Sequence, residues 1–279
     1  MFALNTFING INYKTASLGL TKKILYSFNK KEPKKFIIFF RGRSGSSLLV
    51  DLLNKHPLIK AEGEILSRNV FFPGIYLDLR SYLFLDNIVA YGVKCKRAQI
   101  ENQANVNNVE QTFLSLSKRG FKFIYLKRKN KLKQALSAIA AVKRANKMKM
   151  QVQGKKVNFF RISQEEKDKF LYLTEKFTIE PKHLIGSTSF FERVGQEEDQ
   201  IMNLVPNLEI TYETDLLKPQ NHQATINKIC DFLGIETADC NSNLVKANSD
   251  NIRDLVDNAS ELIDAIEKSK YAHYLDADS

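Results

Sequence analysis

Short apolar runs alternate with stretches of helical periodicity along this 279-residue chain. Four runs, Phe36–Phe40, Ile88–Val93, Phe121–Leu126 and Leu208–Tyr212, are rich in aromatic and β-branched residues. They are too short for helices and predict buried strands. Between them, apolar residues at helical spacing predict helices: Leu48, Leu49, Leu52 and Leu53 after the first run, and Leu132, Leu136, Ile139 and Ala140 after the third. Further helices are predicted over Glu165–Phe177, Phe190–Leu204, Ile226–Leu233 and roughly Asn251–Lys268. Pro181 and Gly186 mark a break, and Gly234 a helix end. Strands separated by helices predict a three-layer αβα domain with a mainly parallel central sheet. Its ligand is expected at the carboxyl ends of the strands. Residues 1–35, ending in the basic run Lys30–Lys35, read as an N-terminal extension, helical in part, ahead of a single domain over 36–279.

The first strand runs directly into a loop, Arg41, Gly42, Arg43, Ser44, Gly45, and then Ser46 and Ser47 stand before the leucine-rich helix. A hydroxyl residue at that place suits an N-cap. Strand, Gly/Ser/Arg loop and helix start form an anion cradle. Backbone N–H groups and the positive end of the helix dipole converge on a phosphate, and glycines let the backbone turn and approach it. Arg43 adds a fork of donors. A Walker A loop would end in Gly-Lys-Ser/Thr, whereas here Gly45 is followed by Ser46. The alternative is an ordinary strand-to-helix turn with capping serines.

The segment RSGSSLL resembles the 5′-phosphosulfate loop of sulfotransferases that use 3′-phosphoadenosine 5′-phosphosulfate (PAPS). It is most similar to the bacterial carbohydrate enzymes of the trehalose and nodulation-factor type. The resemblance implies a P-loop-NTPase-like fold, with PAPS as cofactor and Arg41, Gly42, Arg43, Ser44, Gly45, Ser46 and Ser47 around its 5′ end. It implies that Phe121–Arg144 is the 3′-phosphate segment, a strand followed by an Arg and then a Ser on the next helix. Ser137 fits the serine, and Arg128 or Lys129 the cation, with Arg128 preferred because it stands at the strand end. In the same family a Gly-Glu pair after the first helix supplies the acceptor's general base, which matches Glu64. His56, in the Asn-Lys-His-Pro stretch that ends that helix, is the other candidate base; the bland reading is a histidine that packs or caps there. A Gly-x-Lys segment resembles the family's, which implies Lys94 near the acceptor and sulfate; the alternative is a surface lysine. Arg43 and Lys94 would offset developing charge beside Glu64. The Tyr212-Glu213 strand end and the C-terminal helix resemble family elements too, and are read as structural.

Composition narrows the picture further. Net charge is +11, with pI ≈ 9.4, which suits an anionic cofactor or substrate, a nucleic acid or a membrane surface equally. RNA-binding and zinc-finger signatures are missing, so no nucleic-acid partner is expected. Cys95, Cys230 and Cys240 are scattered without a CxxC, which predicts neither a disulfide framework nor zinc. No transmembrane run and no leader-like N-terminus stand out, so a cytoplasmic protein is expected. The expected activity is sulfuryl transfer to a hydroxyl of a carbohydrate or glycolipid, without a metal. The acceptor pocket is expected from Ser67–Arg80 and Lys147–Phe160, with Phe71, Phe72, Tyr76, Phe159 and Phe160 as stacking candidates. A kinase-like phosphotransferase using Mg-ATP and a non-catalytic module for anionic polymers are the alternatives.

Overall fold

The computed structural model describes residues 13–28, 32–70, 72–103, 106, 108–151, 175–244, 249 and 251–275. Helix α1 (Tyr13–Phe28) precedes strand β1 (Lys34–Phe40) and helix α2 (Ser46–Leu53). There follow β2 (Ile59–Glu62), α3 (Pro73–Ser81), β3 (Ala90–Cys95), α4 (Arg97–Glu101) and α5 (Val109–Lys118). Then come β4 (Phe121–Lys127), α6 (Lys131–Gln151), α7 (Pro181–Met202), β5 (Asn207–Thr211), α8 (His222–Leu233), α9 (Ile252–Leu255) and α10 (Ala259–Glu267).

The five strands form one sheet in the order β2-β3-β1-β4-β5, with every neighbouring pair parallel. Helices cover both faces, as parallel strands require. Alternation along β1 makes the layers. Phe36, Ile38 and Phe40 pack with Leu49, Leu52 and Leu53 of α2 and Ile226 and Ile229 of α8. Ile37 and Phe39 point the other way, against Leu77 of α3, Phe113 and Leu116 of α5, and Ile201 and Met202 of α7. Each such side chain, fully removed from water, contributes about 1.5–3 kcal/mol. A third cluster joins α6, α7, α9 and α10 through Leu136, Leu184, Leu255 and Leu262. The chain is thus an α/β protein of three layers, and among the described residues no helix is long and apolar enough to cross a membrane.

Several expectations need correction. The 59–62 segment, where no element was predicted, is an edge strand. The strand expected at Ile88–Val93 lies at Ala90–Cys95, because Ile38 pairs with Lys94 and Phe39 with Cys95. Lys94 is therefore a strand residue. Its Gly-x-Lys glycine is a packing necessity: a Cβ on Gly92 would stand 2.2 Å from the Phe36 ring. The break expected at Pro181 and Gly186 lies at 175–180, ahead of Pro181, and does not reach Gly186. Pro181 opens α7 at its first turn, where its missing N–H costs nothing, and α7 runs through Gly186. The basic, polar stretch Lys143–Asn158 reads from the sequence as a loop that could cover the site, but it is helical to Gln151, since it holds no breaker and is rich in Lys, Ala and Met; 152–158 lie outside the described residues. The final helix is interrupted at Val256, whose extended backbone bridges Phe177. Phe177 is accordingly not helical, and 165–174 of the helix expected there lie outside the described residues. Helix α1, within the segment read as the N-terminal extension, packs on the domain. Lys23 and Lys35 both bind Asp78 of α3, which ties α1 to it.

Candidate functional site

Strand order alone brings the distant basic segments together. β1 lies between β3 and β4, with Phe39 opposite Cys95 and Phe40 opposite Leu126. The carboxyl ends of all three strands therefore open on one place. The 41–47 loop emerges there from the centre, Lys94 and Lys96 from one side, and Arg128 from the other.

The loop is held in shape by its own neighbours. Ser44 is fully buried, and its Oγ donates to the Arg41 carbonyl at 2.7 Å. Gln134 Nε2 donates to the Gly42 carbonyl at 2.8 Å, and Arg128 Nη1 to the Arg43 carbonyl at 3.2 Å. Three consecutive carbonyls are thereby engaged within the protein. The tight turn is made by Arg43, at φ 69°, and Gly45, at φ 85°, and not by Gly42. Gly45 is required twice over, because a Cβ there would also meet the Tyr212 ring at 2.7 Å. A left-handed arginine is uncommon, and such a conformation persists where its surroundings over-determine it. Here Arg43 Nε donates to Ser137 Oγ at 3.0 Å while its carbonyl is held by Arg128. The serines do not cap α2. Gly45 is the N-cap residue, without a side-chain bond, and Ser46 and Ser47 are the first two residues of the helix. Arg41 is turned to structural work, with Nη2 2.5 Å from the carboxylate of Glu198, a buried residue of α7.

On the β4 side, Arg43, Arg128 and Ser137 converge. Arg128 is 3% exposed, and its guanidinium lies 4.8 Å above the Tyr212 ring. Lys129 is exposed, whereas Arg128 is buried against the loop it binds. Glu213 receives the Lys129 and Asn130 amides at 3.0 and 2.9 Å and stands 3.9 Å from Arg128 Nε. It sets the turn that presents Arg128, which gives the Tyr-Glu element a physical role. Arg144 went unnoticed in the sequence. It is 6% exposed and follows Ser137 by seven residues, two turns along α6. That spacing was the available signal. Burial first, then the charges of Arg128 and Arg144, pull the Arg43 guanidinium down to about 10, with Tyr212 opposing. Arg43 remains a cation at neutral pH, but mutual repulsion among guanidiniums favours an anion between them.

On the β3 side stand Lys94, Lys96 and Glu64. Lys94 Nζ is 3.3 Å from Ser47 Oγ and 3.4 Å from Glu64 Oε1. Lys96, also missed in the sequence, donates to Glu64 Oε2 at 2.8 Å, beside Gln99 Nε2 at 2.9 Å. Both ammonium groups lie over the Phe40 ring, at 5.2 and 5.3 Å. Burial on its own would raise the Glu64 carboxyl; the hydrogen bond and charge of Lys96, then Lys94, outweigh it and hold the group below its ordinary value. His56 stands apart. It is 2% exposed, its Nδ1 accepts the Leu58 amide at 3.1 Å, and its Nε2 lies 2.9 Å from the Glu236 carbonyl. An Nδ1 that accepts leaves the proton on Nε2, so the imidazole is neutral with both nitrogens engaged.

Of the stacking candidates, Phe72 is exposed and Tyr76 packs on the core, its hydroxyl accepting from Arg80 at 3.4 Å. Phe71, Phe159 and Phe160 lie outside the described residues, as does most of Lys147–Phe160.

The fold and the cleft together define an α/β protein whose parallel sheet ends in a site built from arginine, lysine, serine and one paired glutamate. No protein-family model matches this chain, and no curated protein matches it either.

Proposed function

We propose that this protein is a sulfotransferase of the PAPS-dependent kind, acting on a hydroxyl of a carbohydrate or glycolipid. The observation that carries the reading is the contact of Arg43 Nε with Ser137 Oγ at 3.0 Å. It joins the two segments, ninety-four residues apart, that resemble the 5′ and 3′ halves of a PAPS site. A nucleotide carrying both a 5′ and a 3′ anion needs two cationic ends at one cleft. The loop after the central strand also suits a P-loop-NTPase-like reading of the fold.

The residues fit the cofactor by the chemistry of their donors. Arg128 and Ser137 would hold the 3′-phosphate, and the 42–47 loop with Arg43 and Ser47 the 5′ end. When bound, PAPS supplies the sulfuryl group. Arg43 and Lys94 offset negative charge at the loop, and Glu64 takes the proton from the acceptor hydroxyl. An anion that draws Lys94 and Lys96 toward the loop removes part of their field from Glu64. Its proton affinity then rises, and the site becomes a better base when filled.

Thermal unfolding with 3′-phosphoadenosine 5′-phosphate tests this, with 5′-AMP and Mg-ATP as controls. A ligand that binds the folded state alone adds about 2.7 kcal/mol at 100 times its Kd. A large shift with the 3′-phosphorylated nucleotide alone is expected, and labelled PAPS then identifies acceptors. A shift with Mg-ATP alone turns the assignment to a phosphotransferase. No shift with any of the three ends the sulfotransferase reading.

A further inference from the structure

Helix α1 is built inside out. Gly19, Lys22, Lys23 and Tyr26 share one face by their spacing, and that face meets the domain. A Cβ on Gly19 would stand 2.6 Å from the Leu79 carbonyl oxygen of α3, so the backbones touch there. Lys23 binds Asp78, and Lys22 and Tyr26 both bind Asp86. Lys22, Lys23 and Tyr26 are thus spent on the protein. Its outward arc holds Leu18, Leu20, Ile24 and Leu25, each more than half exposed, with only Ser17, Thr21 and Ser27 among them. Between residues 17 and 27 that arc carries no charge.

The charge lies at its flanks. Of the seven lysines in the first 35 residues, Lys22, Lys23 and Lys35 pair with Asp86 and Asp78 and Lys34 with the Gly234 carbonyl, so the lysines that bear on the flanks are Lys14, Lys30 and Lys31. Lys14 lies in the first turn of α1, and Lys30 and Lys31 follow its end. An uncharged aliphatic arc flanked by lysines matches an anionic bilayer surface, where apolar side chains enter the headgroup boundary and lysines meet lipid phosphates. We propose that α1 is a membrane-surface helix which seats this protein on anionic lipid through Leu18, Leu20, Ile24 and Leu25. The inference is independent of the chemistry at the cleft.

Tryptophan supplies the direct test, because the chain has none. The full chain carrying Ile24→Trp has one indole on the outward arc. With vesicles of phosphatidylcholine and phosphatidylglycerol its emission is expected to shift to the blue and to be quenched by brominated lipid. With phosphatidylcholine alone, little change is expected. In sedimentation with the same anionic vesicles, the triple substitution Leu18→Gln, Leu20→Gln, Ile24→Gln lowers partition about tenfold or more. Lys30→Glu with Lys31→Glu lowers it by at least about tenfold, as does raised salt. An indole that stays in water on anionic vesicles overturns the proposal. So does triple-variant binding equal to the parent's. Concentration-dependent self-association that the triple substitution abolishes, without vesicle binding by the parent, would make the face a contact between copies instead.

Discussion

The two sides of the cleft are both basic, yet they are built on different principles. On the β4 side Arg43 binds Ser137, Arg128 binds the Arg43 carbonyl, and burial with the charges of Arg128 and Arg144 drives Arg43 down to about 10. On the β3 side Lys94 and Lys96 share the carboxylate of Glu64, within 3.4 and 2.8 Å. Guanidiniums do not exchange protons at ordinary pH, and their planar forks suit phosphate. An ammonium–carboxylate cluster holds its charge in balance and can give that balance up. The arginine side is therefore suited to holding an anion, and the lysine–glutamate side to handling a proton. One cleft carries a fixed charge next to an adjustable one.

The sharpest way to break that comparison is to remove one member from each side. Arg43→Ala and Glu64→Gln are each expected to lower turnover by roughly 10²–10³. They separate in binding: Arg43→Ala loses the thermal stabilisation by 3′-phosphoadenosine 5′-phosphate, while Glu64→Gln keeps it. Near-normal turnover of Glu64→Gln with labelled PAPS would take the base role from Glu64.

Next in size is the choice between neighbouring cations. Arg128→Ala should weaken binding of the 3′-phosphorylated nucleotide by roughly 10- to 100-fold, the scale of a hydrogen bond to a charged group. Lys129→Ala, at an exposed position, should leave it within about twofold in the same calorimetric titration. Equal losses would mean that Arg128 is not specially placed.

His56→Gln should cost about 1–3 kcal/mol in urea unfolding, since it disturbs two buried bonds, with kcat unchanged. A kcat loss beyond the stability effect would bring His56 back as a base.

The smallest expected effect is in pH dependence. Glu64 has a lowered folded-state pKa, so it is charged above its ordinary 4.5 and stays so somewhat below. Its contribution to stability is present above that value and is lost as pH falls through the lowered one. The acid limb of kcat/KM, which reports the empty site, should therefore lie below the ordinary value, and Lys96→Met should move it upward. A limb that Lys96→Met leaves in place would separate the lysine from the glutamate in function.

Much of this was readable along the chain. The strand at Phe36–Phe40, the 41–47 loop and the strand ending before Arg128 are local patterns. Apolar runs and turn glycines act over a few residues, and the structure keeps them where the pattern put them. Strand β2 was hidden because its four residues, Ile-Lys-Ala-Glu, bury only alternate side chains at a sheet edge. Arg144 was hidden because its helix looked like a charged loop, and a buried arginine is spelled like an exposed one. Lys96 gained meaning only from Glu64, thirty-two residues away.

The alternation of apolar and periodic segments was enough to set an α/β architecture with its site at the strand ends, because burial and backbone geometry are decided within each segment. Which cations meet was settled by strand order. With β1 seated between β3 and β4, Lys94 and Arg128 flank a loop that neither touches in sequence. The division of labour between arginine and lysine follows from three-dimensional neighbourhood too. A charge's state depends on burial and on charges a few ångströms away, and those distances exist only once the chain has folded.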